Sequence, residues 1–120
     1  MRIQMETGGH TLTITLADNP AARAFWQKLP LTLPMMNLYG WELCCRCGAG
    51  TLPAEGIPQS LCHAGDLCYW SPAGSISFFY KDSDGCKQER IGHTDEGLHF
   101  LQDTCDMDVT FTPLQEAEKS

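Results

Sequence analysis

Cysteine and histidine side chains are concentrated in two short segments of the sequence. Three thiols occur within residues 44–47, and a fourth, next to a histidine, follows at residues 62–63. Thiolates and imidazoles are ligands that suit Zn²⁺ or Cu(I). The residues predicted to form this soft-metal site are Cys44, Cys45, Cys47, Cys62 and His63. The alternative is that these cysteines are small apolar side chains without a ligand, since cysteine is among the most buried residue types.

The same thiols raise the hypothesis of nucleophilic catalysis, as in a thiol-dependent hydrolase. Cys62 stands beside His63 with Asp66 nearby, and Cys45 stands beside the charged Arg46. A thiol nucleophile needs a base or a cation next to its sulfur. Adjacent residues of a strand point to opposite faces, so Cys62 and His63 cannot pair unless the strand is bulged.

A second group of residues suits ligand binding rather than metal coordination. From Leu43 to Ser60 the sequence lacks regular alternation and is interrupted by glycines and prolines, which predicts a long loop. Long loops often carry binding sites. We therefore predict a groove beside this loop for a small molecule or a short peptide. The aromatic and charged residues predicted to line it are Tyr39, Trp41, Glu42, Arg46, Glu55, His63 and Tyr69.

Composition limits the classes of protein to which the chain can belong. A length of 120 residues suits one domain, predicted over residues 1–113, with an acidic tail over 114–120 that is expected to lack order. The net charge of −7 gives no basic surface for nucleic acid. No apolar run is long enough to cross a bilayer, so no membrane association is expected.

The start of the chain and its cysteine count bear on its compartment. The first six residues lack the apolar run of a signal peptide. The chain has seven cysteines, an odd number that does not suit a complete disulfide framework. We expect a cytoplasmic protein whose cysteines are thiols.

The first third of the chain predicts a hairpin, a helix and a strand. Arg2–Glu6 and His10–Leu16 flank two glycines, and threonines alternate with aliphatic residues in the second run. Asn19-Pro20 is typical of a helix start. Leu31–Leu38 reads as a strand whose proline favours an edge or a bend. A hydrophobic edge over 31–36 would favour a homodimer.

The rest of the chain predicts a central hairpin and three further elements. Two apolar runs, 67–70 and 76–80, flank a Ser-Pro-Ala-Gly connection. Asp66 ahead of it is expected to accept hydrogen bonds from backbone amides. A strand ending near Ile91-Gly92, a short helix over 95–102 and a closing strand over 108–112 follow. Trp26, Trp70, Phe78 and Phe79 are expected in the core.

These elements amount to about seven or eight short strands and two short helices. Closure of the sheet into an antiparallel barrel would remove its exposed edges. A β-sandwich is the competing arrangement, and periodicity does not separate the two.

Several short segments, in this order along the chain, resemble the small prokaryotic cyclophilin-like proteins. The segments are Asp18–Phe25, Leu29–Leu33, Gly65–Leu67, Cys68–Gly74, Phe79-Tyr80 and Ile91-Gly92. The resemblance spans nearly the whole chain. It implies a mainly β protein, a closed eight-stranded antiparallel cyclophilin-like barrel with two short helices, from a group whose members generally have no assigned reaction.

True cyclophilins are peptidyl-prolyl isomerases, and the resemblance allows that activity to be weighed. Their pattern has an arginine ahead of the Gly-Asp pair, where this chain has Glu55, and a phenylalanine where it has Ser60. The arginine donates hydrogen bonds that weaken the prolyl amide, and an ionised glutamate cannot donate. We therefore expect no ordinary isomerase activity, unless Arg46 or Arg90 approaches the site from elsewhere. The alternatives to a ligand-binding barrel are a divergent isomerase, a thiol-dependent hydrolase and a soft-metal protein.

Overall fold

The computed structural model describes residues 1–101 and 105–114. Its nine strands are β1 Arg2–Thr7, β2 His10–Leu16, β3 Leu31–Leu38, β4 Glu42–Arg46, β5 Gln59–Leu61, β6 Asp66–Trp70, β7 Ser75–Phe79, β8 Lys87–His93 and β9 Met107–Pro113. All pairings are antiparallel. Eight strands close a ring in the order β2-β1-β9-β3-β4-β7-β6-β8, and β5 extends β8 outside it. The predicted eight-stranded barrel is confirmed, and the sandwich is wrong.

The predicted first hairpin and the helix form as expected. Gly8 and Gly9 both have positive φ, of 57° and 80°, which a tight turn between β1 and β2 requires. The helix α1, Pro20–Gln27, has Asn19 as its N-cap, whose side chain accepts from the Ala22 amide at 2.8 Å. Phe25 is fully buried and lies edge-on to Phe111 of β9, which fixes the helix against the barrel core.

The proline of β3 sits where the strand has one hydrogen-bonded neighbour. Residues 31–35 of β3 pair with β9, and residues 36–38 pair with β4. Pro34 lies in the first part, where its missing N–H breaks no ladder to β4. The predicted edge character is therefore local. Pairing with β9 covers one side of this segment, and a homodimer through it stays a prediction.

The predicted loop from Leu43 to Ser60 is shorter than expected, because its first residues belong to β4. Glu42, Leu43 and Cys44 are buried in succession, so the strand shows no alternation of polar and apolar residues. The remaining loop, 47–58, is held against the hairpin of β6 and β7. Gly74 has φ +61°, and a Cβ there would lie 1.7 Å from the Gly48 carbonyl oxygen, so this contact requires glycine.

The second predicted helix is a single 3-10 turn, His99–Leu101. Asp95 does not cap it, because its carboxylate bonds the His93 ring at 2.8 Å instead. The predicted helix end at Gln102 and residues 115–120 of the predicted acidic tail lie outside the described residues. Among the residues described, no helix has the length and apolar character needed to cross a membrane.

Candidate functional site

Strands β4, β7 and β6 carry different side chains on their two faces. Registered partners in an antiparallel sheet point to the same face. The register sets Cys44 opposite Ser77, and Ser77 opposite Cys68, so these three share the outer face of the barrel. Leu43 and Phe78, one residue along, pair on the inner face and belong to the core.

A cavity of about 250 Å³ lies on this outer face, and we call it the outer cavity. It is bordered by the turn between β3 and β4, by the outward residues of β4, β7 and β6, and by the start of β8. The residues lining it are Leu38, Tyr39, Glu42, Cys44, Arg46, Trp70, Ser75, Ser77, Cys86 and Gln88. The loop 47–58 contributes none of these, whereas Cys44 and Arg46, at the start of the segment predicted as a loop, both line the cavity.

Two polar side chains of the outer cavity are buried and lack a hydrogen-bond partner among the described residues: Ser77 through its Oγ and Gln88 through its Oε1. Ser77 is completely buried and Gln88 is 6% exposed. The Gln88 Nε2 donates to the Cys86 sulfur at 3.5 Å, so only the carbonyl end of the amide is unpaired. A buried polar atom without a partner is costly and needs an explanation.

Glu42 places a buried carboxyl group beside these two residues. Burial raises its pKa above the ordinary value. A hydrogen bond from the Trp41 indole, whose Nε1 lies 3.1 Å from Oε2, acts in the opposite direction, as do the nearby Ser77 hydroxyl and the charge of Arg46. The Ser77 hydroxyl is thus near enough to Glu42 to influence its titration, although its geometry does not meet that of a normal hydrogen bond.

Tyr39 borders the outer cavity in an unusual backbone conformation. Its φ is +60°, in the left-handed region that β-hairpin turns usually fill with asparagine or glycine. Its side chain is 71% exposed, and its ring lies 5.4 Å from that of Trp41. A large exposed aromatic residue in a disfavoured conformation is a reason to suspect a functional role.

The structure separates the predicted ligand-binding residues into two sets. Tyr39, Glu42 and Arg46 line the outer cavity, and Trp41 is bonded to Glu42. Glu55 is exposed on the loop 47–58, and His63 is exposed with its Nδ1 3.7 Å from Asp82. These two do not line the cavity.

The prediction for Tyr69 as a pocket residue is wrong. Tyr69 pairs with Ile76 on the inner face and is fully buried in the core. Its hydroxyl accepts a hydrogen bond from the Leu52 amide at 3.1 Å, which satisfies the polar tip without solvent.

The five predicted metal ligands do not converge. Cys44 faces the outer cavity, whereas Cys45 and Cys47 pack against the core and their sulfurs are 3.6 Å apart. Burial is the largest cause that raises the pKa of Cys47, to about 12, which disfavours the thiolate that a metal requires. Within the described residues, no three His, Cys, Asp or Glu side chains gather into a group able to hold a metal ion.

Cys62 and His63 point apart, as strand geometry predicts. Cys62 is 1% exposed and packs with Cys68 and Phe79, while His63 is exposed. Asp66 accepts from the His63 backbone amide at 2.9 Å, which is the structural role predicted for it. These residues therefore do not form the base-activated thiol of a hydrolase.

A larger depression, of about 610 Å³, runs along β2 and β8 past His93. The polar groups around His93 are paired with each other. His93 Nδ1 lies 2.7 Å from the buried Asp66 carboxylate, and its Nε2 lies 2.8 Å from Asp95. Burial acts to lower the pKa of His93, but the hydrogen bonds to Asp95 and Asp66 outweigh it and the pKa is raised. The smaller outer cavity is the better candidate because two of its buried polar atoms, Ser77 Oγ and Gln88 Oε1, are unpaired.

Comparison with known families gives a match over most of the chain. The sequence model of the Cyclophilin-like family matches residues 5–112. The chain belongs to this family. The solution structure of the hypothetical protein AF2241 from Archaeoglobus fulgidus is similar to this cyclophilin-like protein, with a TM-score of 0.56, 18% identity and 95% of each chain covered. At that identity the likeness shows the fold alone. No curated protein matches the chain.

In this cyclophilin-like barrel, the residues compared with the isomerase pattern lie away from the outer cavity. Glu55 and Ser60 are both exposed and do not line it. Arg46 does line it, while Arg90 lies 3.5 Å from Asp66 in the neighbouring region. Of the two arginines considered from the sequence, Arg46 is the one at the cavity.

Sequence reasoning named Cys44 only as a metal ligand and missed six residues of the cavity: Leu38, Trp70, Ser75, Ser77, Cys86 and Gln88. Trp70 was expected in the core but is 40% exposed at the end of β6. A signal for Ser77 was present, because Ser75 and Ser77 alternate with Ile76 and Phe78 and so share the face away from the core. Cys86 and Gln88 carried no such signal.

Proposed function

We propose that the protein binds a small molecule, or one side chain of a short peptide, in the outer cavity. The observation that carries this proposal is the pair of buried, unpartnered polar atoms, Ser77 Oγ and Gln88 Oε1, in the wall of the cavity. A ligand that satisfies both atoms recovers hydrogen bonds that the protein alone leaves unmade.

The side chains of the cavity suit a ligand that carries an amide and a flat apolar group. The Gln88 carbonyl needs an N–H or O–H donor, and the Ser77 hydroxyl can donate to a carbonyl oxygen. Trp70 and Tyr39 offer aromatic surfaces at the edge of the cavity. A volume of about 250 Å³ is on the order of eight water molecules, enough for a single aromatic ring with one polar group.

Binding of matched probes tests the proposal. Benzamide, benzoate and benzylamine share one ring and differ in their polar group. We expect benzamide to bind with a Kd of about 1 mM, and benzoate more weakly because the carboxylate cannot donate a hydrogen bond to Gln88. Equal affinity for all three probes, or none for benzamide, would contradict the proposed chemistry.

Variants connect this binding to the two unpartnered atoms. Gln88→Met keeps the shape of the side chain and removes its carbonyl, and should weaken benzamide binding about fivefold. Gln59→Met makes the same change at an exposed position of β5, outside the cavity, and should leave binding unchanged. Equal effects of the two substitutions would count against a role for Gln88.

Prolyl isomerisation is the alternative function, and the position of Arg46 at the cavity is the observation in its favour. We nevertheless propose that the protein lacks this activity, because Glu55 replaces the arginine of the isomerase pattern. An isomerase assay on a proline-containing peptide should show no acceleration. Acceleration that Arg46→Ala abolishes and Arg90→Ala preserves would establish a divergent isomerase instead.

Soft-metal binding and a cytoplasmic location also stay predictions. Metal analysis of protein purified without a histidine tag, under reducing conditions, tests the first. The separation of Cys44 from Cys45 and Cys47 argues against the cysteine site predicted from the sequence. A stoichiometry near one zinc or copper per chain would nevertheless support that site.

A further inference from the structure

Three thiols meet on the outer face of the barrel, next to the outer cavity. Cys62, Cys68 and Phe79 form a buried group, against which Trp41 and Cys86 pack. We call these five residues the outer cluster. Cys86 also lines the outer cavity, so the cluster and the cavity share one wall.

Two of these thiols, Cys62 and Cys86, lie opposite each other just beyond the paired ends of β5 and β8. Leu61 of β5 is paired with Lys87 of β8. Continued by one residue, this antiparallel register sets Cys62 opposite Cys86, and the Cys62 amide donates to the Cys86 carbonyl at 2.9 Å. Opposed residues of an antiparallel pair have Cα atoms about 4.5–5.5 Å apart, within the range of about 4.4–6.8 Å that disulfides adopt.

The third thiol favours reaction at Cys62. A hydrogen bond from Cys68 is the largest cause that lowers the pKa of Cys62, and a hydrogen bond from Cys86 adds to it, against the effect of burial. Hydrogen bonding to Cys62 raises the pKa of Cys68, and burial raises that of Cys86, so the thiol form of each is favoured. This arrangement resembles that of redox-responsive cysteines, in which a thiolate lies next to a thiol that can resolve its oxidised form.

We propose that Cys62 and Cys86 form a reversible disulfide when a hydroperoxide reaches the outer cluster. Cys62 is 1% exposed, which excludes bulky disulfide reagents, whereas a molecule near the size of water can approach past the half-buried Cys86. Cys68 packs against Cys62, and its hydrogen bond lowers the pKa of the Cys62 thiol, so we assign it as a positioning residue. This inference goes beyond ligand binding in the outer cavity and does not depend on it.

The reaction balances with the hydroperoxide as the only oxidant. The Cys62 thiolate attacks one peroxide oxygen, the O–O bond breaks, and the leaving alkoxide or hydroxide takes the proton of the Cys86 thiol. The Cys86 thiolate then attacks the Cys62 sulfenic sulfur, which forms the S–S bond and releases hydroxide. That hydroxide takes up the proton lost earlier from Cys62 and becomes water. Two thiols are oxidised to one disulfide. An alkyl hydroperoxide is reduced to an alcohol and water, and hydrogen peroxide to two molecules of water.

Peptide mapping of the full chain tests the proposal. Reduced protein is treated with a stoichiometric amount of hydrogen peroxide, alkylated, and digested with trypsin and an enzyme that cleaves before aspartate. Cys62, Cys68 and Cys86 then fall in separate peptides, 47–65, 66–81 and 84–87. We expect peptide 84–87 linked to peptide 47–65 through Cys62, and the link to be lost on reduction. Oxidation confined to other cysteines or methionines, or a link from 84–87 to 66–81, would overturn the proposal.

Variants separate the reacting residues from the positioning residue. Cys62→Ser should abolish the link, whereas Cys45→Ser, a matched change on the core side of β4, should preserve it. Cys68→Ala should slow formation of the disulfide about three- to tenfold, because loss of a hydrogen bond to a charged sulfur lowers the thiolate fraction while making each thiolate more nucleophilic. The pH profile of the rate should also move to higher pH. An unchanged rate and pH profile in Cys68→Ala would contradict its assigned role.

Discussion

The inner and outer faces of strands β4, β7 and β6 differ in chemistry, although alternating residues of the same three strands form both. On the inner face, Leu43, Phe78 and Leu67 are fully buried in a continuous apolar core. On the outer face, Ser77 and its neighbours are buried almost as deeply but are polar or contain sulfur. Burial is therefore similar on the two faces, and the chemistry is not.

This difference separates the residues that stabilise the barrel from those proposed to bind a ligand. Apolar side chains on the inner face gain free energy in proportion to the area they remove from water. Buried polar atoms without partners on the outer face cost free energy. Such atoms are retained where a partner other than the protein is expected, which is why the outer face carries the proposed site.

The largest expected effect is at the inner face. Phe78→Ala removes a fully buried ring from the core and should lower the free energy of unfolding by about 3–5 kcal/mol. Denaturant unfolding measures the change. A loss below about 1 kcal/mol would mean that the inner face does not dominate stability as the comparison requires.

The turn at the edge of the outer cavity should show the opposite sign. Tyr39→Asn places a residue that tolerates positive φ where Tyr39 has φ +60°, and should raise the free energy of unfolding by about 1 kcal/mol. The same change should weaken benzamide binding by removing an aromatic surface. Thermal unfolding and a binding titration on one sample measure both effects. Destabilisation by Tyr39→Asn would show that the tyrosine ring contributes more to folding than its backbone costs.

Glu42 allows a test of the outer face by pH. Because burial raises its pKa, the folded state holds this proton more tightly than the unfolded state does, so this carboxyl favours folding at acid pH and opposes it as pH rises above 4.5 toward the raised pKa. Glu42→Gln removes that dependence. The free energy of unfolding of the variant should therefore rise relative to that of the wild type as pH rises through this window. The gain should be smaller than that from Tyr39→Asn, because Glu42→Gln also removes the attraction to Arg46. A stability difference that does not vary with pH would contradict the direction of the shift.

The smallest expected effect on stability is at Ser77. Ser77→Ala removes an unpartnered hydroxyl and should change the free energy of unfolding by less than about 0.5 kcal/mol, despite complete burial. A loss above about 1.5 kcal/mol would show that the hydroxyl is hydrogen-bonded within the protein, and would remove one of the two atoms on which the proposed site depends.

Local signals in the sequence were enough to predict most of the barrel. Gly8-Gly9 and Asn19-Pro20 each fix a backbone conformation by their own chemistry, so the first hairpin and the helix followed from them. Strand β4 was missed because its successive residues are buried on both faces. The prediction of a second helix starting at Asp95 was wrong because the Asp95 carboxylate bonds to His93, a contact that depends on the tertiary fold.

The candidate site was only partly predictable for a related reason. Tyr39, Glu42 and Arg46 were identified by residue type and by their nearness to an irregular segment. The positions of Gln88 and Cys86 depend on the pairing of β8 with β6, across a bulge at Leu67/Cys68, and no local pattern encodes it. Tyr69 was misplaced because its polar tip was expected at a solvent boundary, whereas its hydroxyl accepts a hydrogen bond from the Leu52 amide within the core.

The location of bound benzamide tests the central claim most directly. A two-dimensional NMR titration of the wild type should show the largest shifts at Ser77, at the Gln88 side-chain amide and at the Trp70 indole. In Gln88→Met, which has no side-chain amide at position 88, the shifts at Ser77 and Trp70 should be reduced. Shifts centred on the depression near His93, or equal shifts in the two proteins, would contradict the assignment of the outer cavity as the binding site.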